Sequence, residues 1–333
     1  MREQNNRQRV ARIALIAAGA LLFLCVVVPF LIPVPPLEGT VQPEDLADSD
    51  SAFIGLTVGG VEGYDVHYKT FGEGEPVFVM LHGFNANLYS FRQVTGPFSE
   101  YGRVIVLDRP ASGLSERLTA GDFTPPNNPY TNEAQIDVVI GLMDALGVEQ
   151  AVLVGHSAGG TVAMDVALAH PERVEGLILI SPAIYAGGGP PPFVGVLLAL
   201  PQFNRLGPLV SRAFVNSGNL LEGGYHDPTR IEQETIELAE KSFQVDNWDR
   251  ALWELTRASR MADFEDRLDE VTMPALIVTG DDDRVVPTEQ SVRLAGELPN
   301  AEIRVIEACG HVAHEECPVP FLRAVDSFLA DLE

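Results

Sequence analysis

The stretch Val152-Leu153-Val154 runs directly into Gly155-His156-Ser157-Ala158-Gly159-Gly160, and a helical pattern over Thr161 to Ala169 follows at once. This order of strand, sharp turn and helix constrains the fold more than any other stretch of the chain. The turn needs glycine at 155 and 159, because side chains there would collide as the backbone reverses, and it lifts the Ser157 hydroxyl above the strand end. The helix N-terminus beneath favours negative charge developing close by. G-x-S-x-G alone recurs by chance in glycine-rich turns, but here the strand before it and the helix after it supply the required context.

Elsewhere, short β-branched apolar runs alternate with helical patterns, which predicts an α/β fold: a mostly parallel sheet with helices on both faces. The runs are Ile54 to Val58, Tyr64 to Thr70, Pro76 to Leu81, Arg103 to Leu107, Ala151 to Gly155, Gly176 to Ile180, Ala275 to Thr279 and Ile303 to Ile306, hence eight strands. Among the helices, Glu133 to Leu146 is introduced by Asn132 and Gln135 in capping-box spacing and closed by Gly147. The alternation breaks at about 186–259, where Gly187 to Pro192 opens a long insertion of helical character. A helical cap over the site is expected there. Its Phe193, Leu198, Phe203, Phe214, Trp248 and Trp253 predict lid packing with some rings facing a pocket, and so an apolar small-molecule partner.

Ile13 to Ile32 is a twenty-residue stretch without a charge, preceded by Arg2, Arg7, Arg9 and Arg12 and followed by Glu38, Glu44, Asp45, Asp48 and Asp50. By length and flanking charge it predicts an uncleaved single-pass anchor over 13–32, with 1–12 as a cytoplasmic leader and 33–52 as a linker. The folded domain, 53–333, then lies beyond the cytoplasmic membrane. The rival reading, a cleaved signal, wants an A-x-A-like site after the run, and none follows Ile32.

The formal net charge of −25 opposes binding to a phosphate backbone, so nucleic acid is not an expected partner. The chain has only two lysines, Lys69 and Lys241, to which no function is assigned. Cys25, Cys309 and Cys317 form neither a zinc pattern nor a disulfide framework; no metal or cofactor is expected, and the thiols are expected free, with Cys309 and Cys317, which flank His311, able to pair only if geometry and compartment allow it.

A serine attacks only when a base takes its proton, and the base needs a carboxylate to fix its tautomer. Two strand ends carry such groups. Ala275 to Gly280 leads into Asp281-Asp282-Asp283, and Ile303 to Ile306 leads towards Cys309-Gly310-His311. Both sit where open α/β sheets place their sites.

From about Phe53 onward the chain resembles the α/β-hydrolase superfamily in its cap-bearing branch. His82-Gly83-Phe84 resembles the oxyanion-loop motif, and Asp108-Arg109-Pro110-Ala111-Ser112-Gly113-Leu114-Ser115 resembles the D-x-P-G-x-G-x-S loop, with Ala111 replacing the usual glycine. Gly155 to Gly159 resembles the nucleophile elbow, Gly280 to Asp283 with Pro287 the acid motif, and Gly310-His311 with Glu316 and Pro318 the histidine motif. The resemblance implies Ser157 as nucleophile and His311 as base. It implies Asp283 as the acid, three residues after the strand-ending glycine, with Asp281 and Asp282 left to a solvated turn. The backbone N–H groups of Phe84 and Ala158 are implied as oxyanion donors. The alternative acid position after the sixth strand is Ser181 and offers no carboxylate. His82 and His156 lie near the site without facing the serine proton, and His314 is expected behind His311 or at the surface.

These residues predict hydrolysis of a carboxylic ester or related acyl bond. Dehalogenases and epoxide hydrolases of this fold use an aspartate nucleophile, which Ser157 opposes. Carbon–carbon bond hydrolases and cofactor-free perhydrolases share the Ser-His-Asp set and stay open, as does a binding module without turnover.

Overall fold

Both faces of each central run are apolar, so the strands can be buried only between two layers of helix. The computed structural model describes residues 2–185, 198, 200–217, 221–260 and 264–332. Its strands are β1 (Ala52–Val58), β2 (Val61–Phe71), β3 (Val77–Leu81), β4 (Arg103–Leu107), β5 (Ala151–His156), β6 (Val174–Ile180), β7 (Ala275–Gly280) and β8 (Ala301–Ile306). They form one eight-stranded sheet of order β1-β2-β4-β3-β5-β6-β7-β8. Only β2 runs antiparallel to its neighbours. The β1–β2 hairpin turns on Gly59 and Gly60, both at positive φ, which suits a two-residue loop.

Alternate residues of the strands feed two separate cores. Val79, Leu81, Leu153, Leu177 and Ile277 pack on one face with α3 (Asn132–Ala145), α4 (Ala158–Ala169) and α8 (Thr288–Glu297). Phe78, Met80, Val154, Ile178 and Val278 pack on the other with α2 (Arg92–Phe98) and α9 (Pro318–Leu332). Each large side chain so buried, Phe78 and Phe321 among them, contributes roughly 2 to 3 kcal/mol.

The cap of α3 differs from the capping box expected at Asn132. Thr131 is the N-cap, its hydroxyl accepting from Ala134 N at 3.1 Å, one residue earlier in the chain. Asparagine is the better cap by residue type, but the backbone at Thr131 is the extended one that an N-cap requires, and this decides for threonine. Gly147 closes the turn after α3 at φ 69°, as expected.

Between β6 and β7 the described residues contain helices and no strand: α5 (Pro201–Val215), α6 (Gln233–Glu240) and α7 (Trp248–Ala258). Helices α5 and α7 touch so closely at Gly207 that an added Cβ would lie 2.2 Å from the Trp253 ring. The Gly187–Pro192 run and Phe193 lie outside the described residues.

The expected anchor over 13–32 is not found, and with it go the membrane partner, the cytoplasmic-membrane location and the extracytoplasmic domain: among the described residues no helix is long and apolar enough to cross a membrane. Helix α1 (Arg2–Val26) spends its first turns on the charged and polar leader. It then stops at Val26, and Pro29 lies in a separate short helix, Val28–Leu31. The apolar part of α1, Ile13 to Val26, spans about 21 Å at ~1.5 Å per residue, against the roughly 30 Å of a bilayer core. Nor is 33–52 a free tether. Thr40 and Gln42 donate to Asp246, Val41 bridges to Val245, and Asp48 binds both lysines.

Half-buried Asp165 on α4 carries a carboxyl that burial, reinforced by Glu133 against Arg267, pushes up from 3.8 to about 7. The fold favours the protonated form, so this contribution to stability is complete below about pH 4 and is lost as pH rises through about 7. Asp165→Asn should flatten that decline. Urea midpoints of both proteins at about pH 5 and pH 8 test it; equal pH dependence would contradict the assignment.

Candidate active site

Ser157 ends β5 and starts α4 with φ 52° and ψ −117°, a strained conformation for a side-chain-bearing residue. Its surroundings enforce it. A Cβ at Gly155 would meet Gly159 O at 2.6 Å, and one at Gly159 would meet Leu81 O, the end of β3, at 2.0 Å. The Ser157 N–H donates to Ile180 O on β6, which ties the turn to the next strand. Ala158 opens α4, so its N–H has no partner within the helix.

Asp283 and His311, twenty-eight residues apart, come together in the loops after β7 and β8. The carboxylate accepts from His311 Nδ1 at 2.9 and 3.1 Å, and from the Val285 and Val286 N–H groups at 3.0 and 2.9 Å. Nδ1 thereby carries the proton and Nε2 is left to accept one. The two loops are stitched further: Asp282 N donates to Cys309 O, and a Cβ at Gly280 would lie 2.0 Å from that same oxygen.

His156, the residue before Ser157, packs against His311. Its ring centroid is 4.8 Å from that of His311 and its Nε2 donates to His311 O at 3.2 Å. The Ser157 hydroxyl itself makes no hydrogen bond among the described residues. His314, expected behind His311 or at the surface, is fully buried between His156 and Phe91. Burial, then the neighbouring His311 and Arg92, lowers it to about 3, so it is neutral.

The oxyanion loop abuts the elbow: a Cβ at Gly83 would lie 2.9 Å from His156 Nδ1 and 3.3 Å from Ser157 Cβ. Phe84 is 45% exposed, with its ring 6.0 Å from Phe214 on α5, so its side chain faces the helices between β6 and β7. Ala111, standing where the resembled loop has glycine, takes the left-handed φ of 67°. Asp108 in that loop accepts from His67 Nδ1 (2.6 Å), Leu88 N and Leu114 N (2.8 Å each). Burial alone would raise its carboxyl, and these donors hold it down at about 2.

Several residues escaped sequence reasoning. Lys69 and Lys241 converge on Asp48 at 2.7 and 2.8 Å, both over the Tyr89 ring, and so fasten the α6–α7 region to the segment before β1. Asp282 is not merely solvated: it binds His226 Nδ1 at 2.8 Å and also Arg284. Glu316, noted only as part of a motif, accepts from Gly310 N, His226 N and Asp227 N at 2.8 to 2.9 Å, fixing the His311 loop to the segment before α6. Ser51, His67 and Asp108 form a further hydrogen-bonded chain, at 2.8 and 2.6 Å. Ser51 there sits in the turn after Asp48, with no helix N-terminus behind it.

Cys309 and Cys317, expected as free thiols, are joined in a disulfide with Cα atoms 6.3 Å apart. With Glu316 they are a trio whose ligand atoms lie close together, but the sulfurs are bonded to each other and the carboxylate holds three N–H groups. A cavity of about 350 Å³ lies among Phe30, Val34, Pro208 and Trp253 and is lined by none of Ser157, Asp283 and His311. A smaller one borders the oxyanion loop at Asn85 and Ala86 and the loop after β4 at Ala111, facing Phe243, Trp248 and Leu252.

A family model for the alpha/beta hydrolase fold matches residues 76–318, and the chain belongs to that family. It is 33% identical over 267 residues to the uncharacterised hydrolase YugF of Bacillus subtilis, covering 79% of this chain and 92% of that protein. It is 30% identical over 302 residues to a 2-hydroxy-6-oxononadienedioate/2-hydroxy-6-oxononatrienedioate hydrolase of Paraburkholderia phymatum, covering 84% and 95%. Among solved structures, an esterase from Thermogutta terrifontis superposes with a TM-score of 0.69 at 25% identity, covering 84% of this chain and 99% of that one. The chain is thus a hydrolase of this fold.

Denatured without reductant, the protein should show one reactive thiol, Cys25, and after reduction three. Thiol titration reads this directly, and three thiols before reduction would contradict the Cys309–Cys317 bond.

Proposed function

We propose that the chain hydrolyses a small carbonyl compound with Ser157 as nucleophile, His311 as base and Asp283 as the acid that orients it. The reading is carried by the buried Asp283–His311 hydrogen bond, which leaves His311 Nε2 to accept a proton. His311 takes the serine proton, Oγ attacks the carbonyl carbon, and the Phe84 and Ala158 N–H groups receive the oxyanion. The bond to the leaving group then breaks as the imidazolium returns the proton. Water, activated by the same imidazole, releases the acyl group from Ser157.

The class of bond broken is carbon–carbon, in a substrate whose leaving carbon is stabilised by conjugation. The named carbon–carbon bond hydrolase of Paraburkholderia phymatum, matched over 84% of this chain, favours it over the ester first expected. Both share every step up to departure: a carbanion delocalised into a neighbouring oxo or enol system leaves in one, an alkoxide in the other. The ester reading is supported by the Thermogutta terrifontis likeness, and stands second. The helices α5 to α7 serve as the cap that excludes water.

A purified 2-hydroxy-6-oxo-2,4-dienoate and a graded series of p-nitrophenyl esters, assayed side by side, test this reading. Loss of dienoate absorbance with kcat/KM well above that for any ester is expected. Turnover of esters alone would transfer the assignment to the second reading. Asp283→Asn should lower kcat by about 10⁴-fold, whereas Asp282→Asn, which touches His226 and not His311, should change it little. The reverse ranking would show the acid to be misassigned.

A further inference from the structure

Arg109 is a buried cation with no carboxylate within salt-bridge distance among the described residues. Its Nε is enclosed without a partner. A guanidinium taken out of water without a counter-ion is costly, and such a charge is kept where an anion appears. Burial lowers it only to about 10, so it stays protonated at neutral pH.

Its surroundings show what it acts upon. Arg109 Nη2 donates to Gly83 O at 3.3 Å. A second donor meets the same oxygen: the Arg109 backbone N–H donates to His82 Nε2 at 3.0 Å, so that nitrogen is the acceptor and Nδ1 carries the proton, donating to Gly83 O at 2.8 Å. Burial, with Arg109 beside it, lowers His82 to about 3, which keeps this tautomer neutral. Gly83 C=O belongs to the same planar trans peptide as the Phe84 N–H, and in such a unit the two groups point in opposite directions. Fixing the carbonyl therefore fixes the N–H. Gly83 itself stands against Ser157, where a Cβ would come within 3.3 Å of Ser157 Cβ.

We infer that Arg109, with His82, is a positioning residue of the oxyanion hole: it pins and polarises the Gly83–Phe84 peptide so that the Phe84 N–H is held towards the oxygen of the tetrahedral intermediate. This rests on the hydrolase reading above and deepens it. A cation on the carbonyl end draws electron density from the peptide and strengthens its N–H as a donor. The field is in place before the reaction and gains most when the oxyanion forms, so it acts on the transition state more than on bound substrate.

Arg109→Met, which keeps the length and loses the charge, and Arg109→Lys, which keeps the charge and loses the fork, are compared with wild type on a neutral p-nitrophenyl ester and on a carboxylate-bearing dienoate. Circular dichroism and melting confirm the fold of each. Arg109→Met should lower kcat by about ten- to a hundredfold on both substrates, with KM changed by less than about threefold. Its fluorophosphonate inactivation rate should fall by a similar factor, since that reaction also builds charge on an oxygen in the hole. Arg109→Lys should recover part of both. A rise in KM confined to the carboxylate-bearing substrate would overturn the inference and make Arg109 a receptor for substrate carboxylate. Unchanged kcat and inactivation in a folded Arg109→Met would overturn it too, as would an Arg109→Lys no better than Met if Met failed to fold. A wild type inert to the esters, the dienoate and fluorophosphonate alike would overturn the hydrolase reading itself and this inference with it.

Discussion

The helix after β5 approaches the end of β3 so closely that position 159 has no room for a side chain, because the Leu81 carbonyl occupies the place of a Cβ. This one contact sets much of what surrounds it. It pulls α4 against the sheet, forces the backbone of Ser157 to φ 52°, and presents the serine between the oxyanion loop after β3 and the histidine loop after β8. The strain is a local cost of roughly 1 to 3 kcal/mol, borne by a sheet whose central strands are buried on both faces. A looser turn would free that energy and lose the geometry.

Around this contact the polar groups work as braces. Asp108 gathers the loop after β4, the start of the 88–91 turn and His67 on β2. Glu316 joins the His311 loop to the segment before α6 through three N–H groups, and the Cys309–Cys317 disulfide closes the same loop from its two ends. Asp48 collects Lys69, Lys241 and Tyr89 from three elements. Asp108 and Glu316 are buried charges that each meet several donors, the condition under which burying them is tolerable.

The central strands were legible because runs apolar on both faces have few other destinations, and the ends of all eight shifted by at most three residues, the largest shift being β2, which starts at Val61 rather than Tyr64. The elbow was legible because glycines 155 and 159 and the flanking elements agree. What was hidden depends on distances that residue order does not carry. Eight positions separate Cys309 from Cys317, but only the turn between them brings their Cα atoms to 6.3 Å. The two lysines looked like a compositional accident until the fold placed both on Asp48. Twenty uncharged residues suggested one membrane helix, yet the helix ends at Val26, ahead of Pro29, and starts in the polar leader. The Asp283–His311 pair followed from a family resemblance rather than from spacing, since three consecutive aspartates offered themselves and the backbone of one turn chose.

Among the described residues Ser51 completes a hydrogen-bonded Ser-His-Asp chain, and it differs from the proposed nucleophile in what lies behind the serine: Ser157 has a helix N-terminus and the loop after β3, Ser51 a surface turn. Fluorophosphonate labelling of the full chain followed by peptide mapping distinguishes them in one measurement. A single adduct on the peptide bearing Ser157, absent after His311→Ala, is the expected result. An adduct on Ser51, or a Ser157 that reacts equally well without the His311 imidazole, would contradict the assignment of the site.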